Sequence, residues 1–471
     1  VSKLKFVLSD LHLGAGFGIE AGNPLEDFTA DQDLVHLLQQ ISAESKQDKL
    51  EVELIINGDF FEFLQVPAVD NYDPATLYPP EAYLDSSQEA SIKRLNLIFE
   101  GHRAVFKALS DFMQAEPPKR RITIIKGNHD VHLYWPKVKS QLRDLLEASG
   151  PRASLLLFAA EFISREQIYV EHGHQRTERI NCYRDFHDPR LPDDPFHLYY
   201  PPGSNFTIGF LNQAERERWF VDSIKPVIAL IWFAFGWDFD FAATMLASFI
   251  RHTAPPEANG SVATHHNLTP SDTQKFLEKL NDRAERSRMA QHYASDPAFR
   301  EKFHRQIQPY LNELNPSGLD YAQPDIHSDP TVMGRAVQSY QQLTLQRSAA
   351  EIAGQENAKV VLFGHSHRPV YQELAKESVY INTGCWLGRQ NLADSSPETW
   401  QALFQGVVKP DGTQPRQLPY ARIEYGLHNQ PTAQLLDFAN DNAALHQPTA
   451  KQTNFFSRLL SRFTTPPEYD A

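Results

Sequence analysis

Cysteine is almost absent: Cys182 and Cys385 are the only two in 471 residues. That excludes a disulfide-stapled scaffold and fits a reducing compartment. A membrane-length hydrophobic run is lacking too. The longest apolar stretch, Pro226 to Trp237, is cut off by Asp238 and Asp240, and a span needs roughly 20 residues. A buried or interfacial helix is expected there. Positive charge is scarce, with 45 Lys and Arg against 59 Asp and Glu giving a net −14. Such a surface repels nucleic acid and anionic lipid unless a local basic patch intervenes. No secretory leader precedes the strand-like opening, so a cytoplasmic location is expected. Glycine-rich nucleotide loops and internal repeats are also missing. What the chain does have is 41% hydrophobic and 22% charged residues, enough apolar content for a large core. Its length suits about three ordinary domains, or one domain carrying a large insertion.

In the first half, short apolar runs alternate with helical patterns. Leu4–Ser9, Val52–Ile56, Ile122–Ile125, Leu155–Phe158 and Gln167–Val170 read as strands. Helices are expected over Asp27–Gln47, Ser91–Met113 and Lys137–Ala148. Another strand, Lys359–Phe363, comes much later, followed by strand-like Val370–Leu374, Val379–Asn382, Ala421–Tyr425 and Ala433–Asp437. Strands separated by helices indicate an α/β layer, and the later strands an antiparallel element that closes it. Residues 1–175 and 355–440 thus form one discontinuous α/β domain. Residues 176–354 read as a mostly helical insertion, with helices over Asp272–Ala290, Phe299–Leu314 and Val332–Ala353. Residues 441–471 are a polar tail in which Asn454–Phe463 forms a short amphipathic helix.

Chemistry-bearing residues gather where strands end. The first strand exits into Ser9-Asp10-Leu11-His12, the second into Gly58-Asp59-Phe60-Phe61-Glu62, and the third into Gly127-Asn128-His129-Asp130. Gln167–Val170 leads into Glu171-His172-Gly173-His174, and Lys359–Phe363 into Gly364-His365-Ser366-His367. Strand ends are where an α/β scaffold brings together side chains from distant sequence. Asp, Asn and His without thiolate form a donor set for divalent Mn, Fe, Zn or similar ions. The donors are too many for one ion and suit two sharing a carboxylate. The adjoining glycines permit sharp turns and close backbone approach. Most of the 19 histidines, including His174, His265 and His266, are expected to be structural, and Cys385 to be a small buried residue.

In this ordered series, D-x-H, G-D, G-N-H-D, a later His and G-H-x-H, the chain resembles the calcineurin-like metallophosphoesterases. The resemblance implies a β-sandwich flanked by helices, in four layers α/β/β/α. It implies that Asp10, His12 and His367 hold one metal, that Asp59 bridges, and that Asn128, His172 and His365 complete the second site. Two divalent ions per chain follow, manganese foremost, with iron, zinc, nickel or cobalt as alternatives. A hydroxide spanning them is the implied nucleophile, His129 the general acid, and Asp130 the residue that orients its ring. GDFFEF and the Gly-His-x-His-Arg-Pro ending are most similar to UDP-2,3-diacylglucosamine pyrophosphatases, although those carry Arg where this chain has His129.

A phosphodiester or pyrophosphate substrate is expected ahead of a monoester. Arg176, Arg179 and Arg368 lie beside the motifs, where a guanidinium can meet a phosphate. The aromatic insertion suits a lipid-like phosphoester, an ordinary helical core or an oligomer contact. A nuclease of the same superfamily shares GNHD and GHxH, but the net charge disfavours nucleic acid. A non-catalytic scaffold is a third reading, opposed by the complete ligand series. The tail helix is expected to dock on the protein body, with peripheral membrane contact as second choice.

Overall fold

Alternation along each strand sets the layers. In the computed structural model, β1 (Lys3–Leu8) turns Leu4, Phe6 and Leu8 toward one apolar cluster and Val7 toward another. Period-2 side chains therefore make β1 a wall between two cores. The model describes residues 3–16, 22–253, 270–312, 329–387, 396–406, 417–426 and 429–445. The amphipathic segment Asn454–Phe463 and the residues His265 and His266 lie outside the described residues.

β2 (Glu51–Asn57), β3 (Arg120–Ile125) and β4 (Leu156–Ala159) follow β1 in parallel register. β5 (Phe162–Arg165) and β6 (Ile168–Glu171) form a hairpin in a second sheet, and β7 (Arg190–Leu191) and β8 (Asp194–Leu198) a separate ribbon. Late in the chain come β9 (Val360–Phe363), β10 (Pro369–Glu373), β11 (Val379–Thr383), β12 (Pro419–Tyr425), β13 (Pro431–Asp437) and β14 (Ala443–Ala444). The larger sheet has the order β14-β13-β12-β1-β2-β3-β4, the smaller β10-β11-β9-β6-β5. Val7, Ile55, Ile125, Val170, Leu362 and Ile381 fill the space between them. Helices Asp31–Asp48, Gln88–Gly101, Arg103–Phe112 and Pro136–Leu145 cover the outer face of the larger sheet, sharing its cluster. Leu345, Ala349 and Ile352, from the end of helix Pro330–Gln355, cover the smaller sheet with Val361 and Phe363. The four-layer α/β/β/α sandwich expected from the sequence is therefore the observed fold.

Two compact units divide the chain: Val1–Ile224 with Leu345–Leu445, and a second built on Lys225–Thr344. The stretch 176–224, assigned on sequence to the insertion, packs with the α/β unit. The Tyr183 hydroxyl donates to the Asn128 carbonyl (3.0 Å), and Asn212 donates to the Leu64 carbonyl (2.9 Å). The second unit is helical. Its apolar helix, Val227–Trp237, is buried from Ile228 to Phe235. Phe235, Phe239, Tyr293 and Phe303 form an aromatic cluster in its interior. Among the described residues, no helix is long and apolar enough to cross a membrane.

Two expected helices prove to be pairs. Ser91–Met113 breaks at His102 (φ −125°, ψ 35°) because Gly101 lies hard against the backbone of Ala15 and Gly16. The His102 ring is claimed there by Asp31 (2.8 Å) and Glu26 (3.5 Å). Asp272–Ala290 breaks at Asp282, whose side chain accepts from the Glu285 amide and starts a new helix.

Candidate metal centre

Strands β1, β2 and β9 deliver their side chains through strained exits. Asp10, His12, Asp59, His365 and His367 all have φ between 46° and 64°. Few residues other than glycine adopt this left-handed region, and a cluster of such residues marks a functional site. Gly58 (φ 79°) has room for no side chain, since a Cβ there would lie 2.4 Å from the His172 ring. At Gly127 it would lie 2.1 Å from Asp59 Oδ1. The glycines are thus the means by which the ligand loops approach one another.

Seven side chains from both sheets converge. His12 Nε2 is 3.1 Å from His367 Nε2, and His367 Nε2 is 3.4 Å from Asp10 Oδ1. Asp59 Oδ2 lies between two groups, 3.7 Å from His12 Nε2 and 3.0 Å from His172 Nε2. Asn128 Oδ1 is 3.2 Å from the same His172 nitrogen. Ligand atoms of Asp10, His12 and His367, and separately of Asp59, His172 and His365, lie within 4.8 Å of one another. The structure thus brings together all seven of the metal residues named from the sequence.

Outer contacts fix these groups. The His172 Nδ1–H donates to the Asn57 carbonyl, and the His365 amide donates to both oxygens of Asp10. Ser9 Oγ meets Thr383 Oγ1 at 2.6 Å, and Asn382 donates to the Gly364 carbonyl, tying the first and last motifs together.

Charge is the decisive feature. Asp10 and Asp59 are buried, and among the described residues histidines are their only ion-pair partners. Burial opposes ionisation of Asp59, yet the neighbouring imidazoles, His172 foremost, hold its carboxyl well below the ordinary range. Imidazoles can turn lone pairs toward a cation, which Lys and Arg cannot. Oxygen and imidazole donors packed this densely fit divalent metals. Two adjoining clusters, with Asp59 of the second 3.7 Å from His12 of the first, fit a dinuclear centre and, with it, metal-dependent hydrolysis.

Asp130 differs from expectation. Its carboxylate accepts from the amides of Gly127 (2.5 Å), Phe60 (2.8 Å) and Phe61 (3.5 Å), so it braces two ligand loops and does not orient His129. Burial, then Asp59, pushes its carboxyl up to about 7. The ring is held by Glu62, which the sequence reading passed over. Its Oε2 accepts from His129 Nδ1 (2.6 Å) and from His12 Nδ1 (2.7 Å). Against the effect of burial, His129 and His12 hold the Glu62 carboxyl down to about 2. Glu62 sits three residues beyond Asp59, inside the GDFFEF block, which by itself gives it no role.

The proposed phosphate contacts divide. Arg176 is bound by Glu171 (3.0 Å), with the Tyr169 hydroxyl nearby, so its guanidinium is engaged within the protein. Arg179 is exposed, and Arg368 is partly buried beside His367. His174, expected to be structural, is buried against His172, Tyr183 and Phe186.

No family model matches the chain, and no curated protein matches it. The paired sheets and the buried clusters of Asp and His are those that the resemblance in the sequence implies. Nothing found ties the chain to the UDP-2,3-diacylglucosamine pyrophosphatase branch.

Proposed function

We propose that this protein is a dinuclear metallophosphoesterase that hydrolyses a phosphodiester or pyrophosphate bond in a small or lipid-like substrate. The observation that carries the reading is the pair of buried carboxylates, Asp10 and Asp59, surrounded by histidines in place of Lys or Arg. Asp10, His12 and His367 hold one cation; Asn128, His172 and His365 hold the other; Asp59 serves both. Manganese is the first choice for these oxygen and nitrogen donors, ahead of iron, zinc, nickel and cobalt. Bound there, two divalent ions supply Lewis acidity toward the phosphoryl oxygens and lower the pKa of water toward neutrality.

The chain's own residues do the rest. Glu62 holds the His129 ring through Nδ1, and His129 is the residue that gives a proton to the leaving oxygen in this reading. Glu62 also fixes His12, and one carboxylate thereby sets a metal ligand and the acid relative to each other. Arg368, next to His367 in the sequence, is the arginine assigned to a substrate phosphate in this reading. A cytoplasmic location belongs to the same reading, and the net charge of −14 argues against nucleic acid as substrate.

The test is metal analysis of the purified protein together with turnover of bis(p-nitrophenyl) phosphate. Two ions per chain are expected, with hydrolysis falling about 10^3-fold in Asp59→Asn. Undiminished turnover in that variant, or full activity after metal is stripped, overturns the proposal.

A further inference from the structure

We propose that Glu178, outside every motif block, positions His365 by accepting a hydrogen bond from its Nε2–H, leaving Nδ1 to face the metal. This inference rests on the metal-centre reading above. His365 Nε2 is buried without a hydrogen-bond partner, and the nearest carboxylate oxygen is Glu178 Oε2 at 3.6 Å. That gap is slightly longer than a hydrogen bond, and a small rotation of either side chain closes it. The His365 backbone is already fixed by its amide's bonds to Asp10, so ring orientation is the remaining freedom.

A simple packing role does not account for Glu178. Its side chain is 7% exposed, and among the described residues His365 is its only ion-pair partner. A buried carboxylate without a counter-cation is costly, so its placement here calls for a partner that carries positive charge or donates a proton. The loop bearing it is braced locally. The Asn181 amide donates to the Glu178 carbonyl (3.0 Å), Asn181 Nδ2 reaches Glu178 Oε2 (3.5 Å), and Thr177 and Ile180 are buried. Glu178 would thus do for His365 what Glu62 does for His12, since a carboxylate on the outer nitrogen fixes the tautomer and strengthens the ligand.

The experiment is a Mn(II) titration by calorimetry of wild type, Glu178→Gln, Glu178→Ala and the same changes in a His365→Ala background. Thermal melts of the metal-free proteins verify folding. Glu178→Gln, which keeps shape, should weaken one of the two Mn(II) sites about tenfold, and Glu178→Ala by up to about 100-fold. In the His365→Ala background neither change should weaken binding further, because Glu178 acts through that ring. Cobalt-loaded Glu178→Gln should show an altered visible absorption band. Wild-type Mn(II) affinity in both variants, or an equal loss with His365 absent, overturns the role of Glu178 while two sites in wild type leave the metal centre standing. Failure of wild type to bind Mn(II) overturns both.

Discussion

The space between the sheets holds a buried charge cluster toward each end, and the two are built on opposite principles. Near the start of the strands, Glu53 meets permanent cations: Lys5 Nζ at 2.5 Å, Arg121 at 3.0 Å and Arg165, with the Thr123 hydroxyl donating at 2.6 Å. Glu166 joins them through Lys5 and Lys3. Past the strand ends, among the described residues the side-chain ion-pair partners of Asp10 and Asp59 are imidazoles alone, on backbones forced to positive φ. The first cluster is neutralised from within, and its Lys5 and Glu53 lie on regular strands, although Glu166, in the turn between β5 and β6, has φ 53°. The second keeps lone pairs and carboxylates aimed at common points. Burial of charge therefore does not distinguish a site from a brace; the kind of counter-charge does.

Breaking the brace should have the largest effect on stability. Glu53→Gln leaves Lys5 buried, 2% exposed, beside a neutral amide, and removing one partner of a buried pair costs about 3–5 kcal/mol. Denaturant melts should show that loss, while metal content and turnover of the folded fraction remain unchanged. Burial works against the Glu53 carboxylate, but Lys5 leads a set of donors that hold it down to about 2, against an ordinary 4.5. A lowered folded-state value contributes stability that is complete above pH 4.5 and fades as pH falls toward 2. The wild type's advantage over Glu53→Gln should shrink across that window. An advantage constant across it would remove the distinction between the two clusters.

At the metal end, the contrast sharpens between Glu62 and Asp130. Glu62→Gln keeps the fold but loosens His12 and His129 together, so kcat should drop about 10–100-fold with little change in Tm. Asp130→Ala leaves the amides of Gly127 and Phe60 without their acceptor, which costs about 1–3 kcal/mol. Its Tm should fall further than that of Glu62→Gln, with a smaller loss of kcat. The reverse pattern would restore Asp130 as the residue that orients His129.

This pair also shows what could be read in the sequence. The convergence of the seven residues was legible because each follows a strand, and strand ends of an α/β sheet converge by topology. Glu62 and Asp130 were harder, because both are carboxylates at a motif's end. Only the fold decides which meets a ring and which meets backbone amides. The break at His102 depends on Gly101 packing against Ala15 and Gly16, a contact between segments far apart in sequence. β5, Phe162–Arg165, was missed because Phe162, Ser164 and Arg165 are exposed, which hides the apolar alternation of an edge strand. Residues 176–224 read as insertion because their apolar residues announce burial without saying against what.

The smallest effect belongs to the rim of the brace. Lys3 Nζ lies 2.8 Å from Glu166 Oε1, but its side chain is 40% exposed, against 2% for Lys5. Water already screens an exposed pair, and holding a long side chain in one geometry costs entropy, so such bridges contribute about 0–1 kcal/mol. Lys3→Met should therefore shift the denaturation midpoint only slightly, and high salt should erase what shift there is. Lys5 shares Glu166 with Lys3 but is enclosed by Glu53 and the sheet, so Lys5→Met should cost several-fold more and resist salt. If the two lysine variants lost equal stability, desolvation would not be what separates rim from interior, and the contrast drawn between the two charge clusters would lose its physical basis.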